Sequence, residues 1–444
     1  MSERKTIARH FVTVLVGQLA IMGYGLTDTL VVGNFSVEAL AALSVAGAIF
    51  ISVYISLLAA VQGLLPIWAE MHGAQQPQRI GPSVRQCLYL TAALTVLGMV
   101  LLVQSTRLLD GLEVPAALHA DVSAYLHILA AALPAAMLYR MFTTLSQSIG
   151  IPQMVTWLQI VGLFIKIPLS IWWTHGGWGV EPMGLRGCAW ATLTVHYSLL
   201  VLALWLLHRQ EPYRPLHLWR TPEKPHWPQL REFLRLGLPA GLTAAVEISS
   251  FALMALLIAR QGAIASSAHQ IVSNLTGIAY MFPLSLGIAC SARVSFWRGA
   301  GDEARARQLA RTSLQLALGT ALLMAVALVL LRQPLAQGYS HDPAVQQLTA
   351  SLLLVLACYH LADSMQLMTM FMLRCWRVTI APLFIYPVLL WGFGIGGGYW
   401  LAYRGLAGWP PAQAPWPFWA SGALGLALTA GVLGLLLRRK LRTV

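Results

Sequence analysis

The chain has 444 residues, of which 57% are hydrophobic and only 10% charged, with a formal net charge of +13. Repeated uncharged stretches of about 20 residues match the length that crosses hydrocarbon, so this is a polytopic membrane protein with no segment left for a separate soluble domain. That excludes catalysis in an appended domain, and five scattered cysteines without a C-x-x-C pair suggest neither a disulfide frame nor a metal site.

In chain order, hydropathy predicts helices near 10–32, 39–65, 84–104, 120–145, 152–174, 185–207, 234–259, 266–290, 310–332, 346–372, 380–402 and 416–437. The first follows MSERKTIARH and is too long for a signal-peptide core, so we expect it to be retained. With both termini placed in the cytoplasm, five of the six outer loops carry one basic residue each, Arg107, Arg186, Arg260, Arg332 and Arg404, and the first carries none. Nearly all other Lys and Arg fall on the inner side. The basic balance thus reports topology in a cell (inner) membrane and contact with lipid headgroups, not a nucleic-acid partner.

The run at 39–75 lies over that at 266–301 at an offset near 226 residues, setting Ala42 on Ala268 and Gly73-Ala74 on Gly299-Ala300. The same shift sets Arg79 and Arg85 on Arg305 and Arg311. The expected fold is all-α: twelve transmembrane helices in two six-helix, pseudo-symmetric lobes around a central cleft. The N-lobe is expected at 1–207, a cytoplasmic inter-lobe linker at 208–233 and the C-lobe at 234–444. An even number of helices gives both lobes the same orientation, and repeat-built transporters carry their sites near midplane, at or near the interface between repeats.

Three carboxylates sit inside apolar runs: Asp28, Glu247 and Asp363. An ionised side chain at that depth costs at least ~2.5–3.5 kcal/mol and marks an ion or substrate path by default. Glu247 has no basic partner within a helical turn, so it is poorly solvated and suited to taking up and releasing a proton. Asp363 shares a helix face with Tyr359 at i−4 and Gln366 at i+3, an oxygen stripe able to ligate Na⁺ or relay a proton. Asp28 is a candidate of the same kind; because it approaches the outer end of helix 1, a helix-end or loop-facing carboxylate is the alternative. Lys166, deep in an apolar helix ahead of Pro168, must snorkel, deprotonate or find a carboxylate. Pairing with Asp28, the only acid in the membrane part of the first half, and snorkelling both stay open. Ser170, Gln270 and Asn274 are candidate cleft residues with helix packing as the alternative, and Met254 and Phe282 belong to an adaptable apolar wall.

The segment GQLAIMGYGLTDTLVVGNFSVEALAAL resembles the first-helix signature of the multidrug and toxin extrusion (MATE) transporters. The likeness continues in LPIWAEMHGAQ, LGLPAGLTAAVEISSFAL, AHQIVSN, ARVSFWRGAG and YHLADSMQLMTMFMLR, and the helix-7 glutamate and the Tyr-x-x-x-Asp are similar to the NorM-like bacterial branch. The resemblance implies alternating access and antiport of lipophilic or cationic drugs outward against inward Na⁺ or H⁺, with no cofactor and no enzymatic activity. It also implies that Glu247, Asp363 and Tyr359 form a C-lobe cation site and Asp28 an N-lobe protonatable site. Two features depart from the family pattern. No proline precedes Pro66, and Lys166 and Ser170 stand where many relatives carry asparagines. A flippase of the same superfamily, moving lipid-linked oligosaccharide or peptidoglycan precursor, is the alternative function; it would line its cleft with several arginines. Because one chain contains both lobes, a monomer is expected.

Overall fold

The computed structural model describes residues 3–105, 107, 109, 115–177, 179–405 and 410–443. Among the described residues, twelve spans are long and apolar enough to cross a membrane. In the first half these are α1 (Glu3–Gly33), α2 (Val37–Gln62) continued by α3 (Leu65–Gly73), α4 (Pro77–Ser105), α5 (Ala116–Ser148), α6 (Pro152–His175) and α7 (Leu185–Arg209). In the second half they are α8 (Trp227–Ala259), α9 (Ala263–Gly299), α10 (Glu303–Leu330), α12 (Pro343–Cys375), α13 (Ile380–Arg404) and α14 (Trp416–Thr443), with a short α11 (Arg332–Tyr339) between α10 and α12.

The chain marks the starts of several helices with residues that satisfy their first N–H groups. Ser36 accepts from the Ala39 N–H at 3.0 Å ahead of α2. Asp302 accepts from Arg305 N–H at 2.9 Å ahead of α10, and Asp342 from Ala344 N–H at 2.8 Å ahead of α12, where Pro343 occupies the first helical position.

All twelve spans fall where hydropathy places them, but most are longer. α1 begins at Glu3, not near 10, and α9 runs to Gly299, not 290. Hydropathy sees only the part of a helix in hydrocarbon, whereas backbone hydrogen bonding carries the helix on into the headgroup region. The α11 helix has no counterpart in the sequence reading, being too short and polar to register.

The duplication is written in the backbone. Shifting α2–α3, Val37–Gly73, by 226 gives the bounds of α9, Ala263–Gly299. Packing repeats as well: α5 lies against α2, α4 and α7 in the first half, and α12 against α9, α10 and α14 in the second. Even the turns recur. Gln75 and Gly301 are both left-handed, with φ of 56° and 79°, and so are Gly150 and Arg377, with φ of 83° and 60°.

The chain divides into two compact units, Met1–Gly241 and Leu242–Val444. The boundary therefore falls inside α8, later than the expected C-lobe start at 234, and the stretch expected as a linker at 208–233 belongs to the first unit. Its physical reason is close packing. Side chains at Gly237 and Gly241 would meet the backbone oxygens of Ala60 and Ser56 at 2.7 Å, so the first turns of α8 lie directly against α2. The polar stretch is strapped to α4. Arg85 forms an ion pair with Glu223 and donates to His217 O, Gln86 donates to Lys224 O at 2.9 Å, and Tyr89 donates to Glu223 O at 2.9 Å. Outside the membrane spans, the Arg85 hydrogen bond holds the Glu223 carboxyl below the usual carboxylate range.

Candidate functional site

In the second unit, α8 and α12 deliver Glu247 and Asp363. Each lies about 6 Å past the middle of its 33-residue helix at 1.5 Å per residue. The two carboxylates are close enough for each charge to act on the other. Tyr280, from α9, donates to Glu247 Oε2 at 3.4 Å, and the buried Tyr386 of α13 lies beside the same carboxyl. Arg374, in the last turn of α12, is the cation that acts on Glu247 at longer range.

Tyr359 is buried one turn before Asp363, as its spacing requires, and its ring is locked by aromatic neighbours. It meets Trp419 at 5.3 Å and Phe251 at 6.3 Å, both edge-on. Gly422 makes this possible, since a Cβ there would stand 3.1 Å from the Tyr359 ring. Gln366 is buried, but its amide nitrogen donates to Met370 Sδ at 3.1 Å and its oxygen has no partner among the described residues. Carboxylate and phenol oxygens are donors of the hard type that Na⁺ takes, and the same carboxylates can carry protons. Among the described residues no group of three or more His, Cys, Asp or Glu gathers to hold a metal ion.

Above Glu247, α13 is wound as π-helix over Val388–Gly396 and Trp400–Arg404, around the glycine-rich run 392–398. Trp391 reaches across to α8, donating to Ser250 Oγ at 2.9 Å and to Val246 O at 3.3 Å, on either side of Glu247. π-Helical turns recur at functional sites because they displace side chains from the regular register.

The first unit holds a different arrangement. Lys166 Nζ, 1% exposed, lies 2.6 Å from Asp28 Oδ1. It also donates to Thr192 Oγ1 at 2.6 Å and to Cys188 O at 3.2 Å, so all three ammonium protons have acceptors. Ser170 adds a 3.5 Å donation to Asp28 Oδ1. The lysine is paired, and does not snorkel. Asp28 is correspondingly not an open carboxylate near a helix end: it is buried, with a tethered cation where an exchangeable one would sit.

The fold, the acid pair and the aromatic frame can now be set beside known proteins. The sequence model of the MatE family matches residues 14–172 and 239–400. The chain belongs to the MatE family. A probable multidrug resistance protein NorM of Aromatoleum aromaticum is 33% identical over 437 residues, covering 98% of this chain and 93% of the relative. A multidrug resistance protein MdtK of Pectobacterium atrosepticum is 28% identical, covering 97% of this chain and 94% of the relative. The fold is also that of the Vibrio cholerae MATE transporter VcmN, with a TM-score of 0.84 at 19% identity, covering 100% of this chain and 98% of that one.

Within this MatE chain, the remaining sequence candidates separate by position. Met254 is buried, Phe282 is partly buried, and Gln270 and Asn274 are exposed one turn apart on α9, with Gln270 Nε2 3.5 Å from Asn274 Oδ1. None of these four touches the Glu247 carboxyl through a hydrogen bond among the described residues. Tyr280 was expected only as part of the apolar wall, and two residues escaped the sequence reading. Tyr386 had no signal that separates it from other membrane tyrosines. Arg140 had one: it is a charge in an apolar helix with no acid within a helical turn.

Proposed function

We propose that the chain is a secondary active multidrug efflux transporter, exporting lipophilic and cationic compounds across a cell (inner) membrane against inward Na⁺ or H⁺. In this reading both termini are cytoplasmic and the working unit is a monomer. The observation that carries it is the pair of acids at membrane depth, buried Asp363 and partly buried Glu247, with Tyr280 donating to Glu247 and Tyr359 one turn before Asp363. Buried acids at such depth are costly, and taking up Na⁺ or H⁺ neutralises them.

Exchange follows from that neutralisation. Bared carboxylates attract a cationic drug; an arriving ion removes the attraction and the drug leaves outward. The ion-bound protein then turns inward and releases its ion. Differential affinity for ion and drug in the two states drives the population shift, and tight binding alone would shift nothing. Asp28, already neutralised by Lys166, is proposed as a fixed element, with exchange resting on Glu247 and Asp363.

The test is export of ethidium from proteoliposomes under separately imposed Na⁺ and pH gradients. Gradient-driven export names the coupling ion, and its loss in both Glu247→Gln and Asp363→Asn supports the acid pair. Undiminished export in both variants would remove the pair from the mechanism. No transport under any gradient by folded protein would favour a flippase.

A further inference from the structure

The first turns of α4 and α10 can be compared residue by residue. Shifting α4, Pro77–Ser105, by 226 gives 303–331, one residue beyond α10, Glu303–Leu330. At that register Arg311 stands where Arg85 does, and Arg307 where Gly81 does. In the first unit this place is filled by peptide. Arg85 is buried beneath the strap, paired with Glu223 and donating to His217 O, and Gly81 leaves room for Leu216 O. In the second unit Arg311 is exposed, and among the described residues no hydrogen bond or ion pair engages its guanidinium.

The acids at the start of α10 do not neutralise this pair of arginines. Glu303 is one turn before Arg307 on the same stripe, yet it turns away, accepting from Trp376 Nε1 at 2.7 Å and lying 3.4 Å from Arg298 Nε. Asp302 is the helix cap. Arg307 Nε is itself buried with no hydrogen-bond partner among the described residues. Arg140, in the first unit, is accommodated differently: it turns inward, its Nη1 donating to the side-chain oxygen of buried Gln62 at 3.1 Å.

What borders the arginines further along α10 is apolar. Arg307 and Arg311 are one turn apart, and their stripe continues through Leu318, Leu322 and Val326, all exposed. On α4 the equivalents of Leu322 and Val326 are Val96 and Val100, which are exposed too. Exposed apolar side chains on a spanning helix meet acyl chains. With 28 residues α10 is about 42 Å long, so centred on a ~30 Å hydrocarbon core it overhangs by about 6 Å at each end. Arg307, about 6 Å from the helix start, is then level with the hydrocarbon edge, and Arg311 about 6 Å inside it. An arginine at that depth turns its guanidinium towards phosphates.

We propose that Arg307 and Arg311 bind the phosphate of an anionic phospholipid whose acyl chains lie along Leu318, Leu322 and Val326. A lipid in the second unit thus takes the place that the strap fills in the first. Guanidinium forks suit phosphate oxygens through paired hydrogen bonds. Phosphatidylcholine would bring a cation of its own to the two arginines, whereas phosphatidylglycerol brings none. Which leaflet supplies the lipid rests on the topology proposed above; the site itself is independent of the export reading.

The experiment is native mass spectrometry of the full-length protein, delipidated in detergent and titrated with phosphatidylglycerol or with phosphatidylcholine of the same acyl chains. Wild type should bind phosphatidylglycerol about tenfold more tightly than phosphatidylcholine, the scale of one hydrogen bond to a charged group. Arg307→Gln and Arg311→Gln should each lose most of that preference, and Arg311→Lys should keep part of it. Arg220→Gln, which removes an exposed basic residue from the strap, should leave the preference unchanged. Should Arg307→Gln fail to fold, as read by its melting curve, Arg311→Gln carries the test, because its exposed side chain holds no neighbour in place. Equal binding of the two lipids by wild type, an undiminished preference in Arg311→Gln, or a matching loss in Arg220→Gln would overturn the site. So would displacement of phosphatidylglycerol by inorganic phosphate, the sign of a free-anion site, or a dimer mass that disappears in Arg311→Gln, the sign of a second copy on this face.

Discussion

Lys166 Nζ sits 2.6 Å from Asp28 Oδ1, in a pocket where Thr192 and Cys188 take the remaining ammonium protons. A buried pair of this kind adds little net stability, because both charges lost their water, but removing one partner strands the other. Lys166→Met and Asp28→Asn should each destabilise the protein by about 3–5 kcal/mol. The double variant should recover most of that loss. Melting curves in detergent of the two single variants and the double variant give the coupling directly; additive losses would mean the two side chains do not act as a pair.

At the acid pair, removing either charge should abolish gradient-driven export, since a neutral amide cannot alternate between ion-bound and bared states. Tyr280→Phe should be milder, lowering export less than about tenfold, because its hydrogen bond to Glu247 is long at 3.4 Å and weak in consequence. Initial rates of ethidium export across the variants check the order.

Glu223 supplies a pH signature outside the membrane. Its carboxyl is held below the ordinary range by Arg85, so the folded protein binds a proton there less readily than the unfolded chain. The resulting stabilisation is present above the unfolded glutamate range and is lost as pH falls through the lowered folded value. Wild type should therefore melt above Glu223→Gln at neutral pH, with the gap closing in acid. With the Glu223 side chain 45% exposed, salt should narrow the gap as well.

The same strap depends on one small residue. A Cβ on Gly81 would stand 1.9 Å from Leu216 O, a backbone atom that cannot step aside cheaply. Gly81→Ala should cost about 1–3 kcal/mol and loosen 211–226 from α4. Faster protease cleavage within that stretch, beside unchanged cleavage elsewhere, is the expected readout.

The twelve spans were legible because lipid allows so few backbone solutions that hydropathy alone counts helices. The pairing of Lys166 with Asp28 was within reach because that half offers the lysine a single membrane acid. Gln366 was not: its spacing sets it on the Asp363 face, yet its amide bonds to Met370, a choice made by rotamers and neighbouring helices that spacing does not encode. Arg140 was lost for another reason. Basic residues near helix ends were read together as a topology signal, and the sequence does not say which of them turns inward.

The division of the chain inside α8 makes the two halves inseparable by simple cutting. A nick anywhere in the polar stretch 208–226 leaves the opening turns of α8, which pack on α2, joined to the other fragment. Halves expressed apart would each carry a mistake: the first would lack a wall it is built against, and the second would display one with nothing to cover it. The ancestral duplication gave two copies of a six-helix plan, but the present molecule has stitched them with a helix that neither copy owns outright.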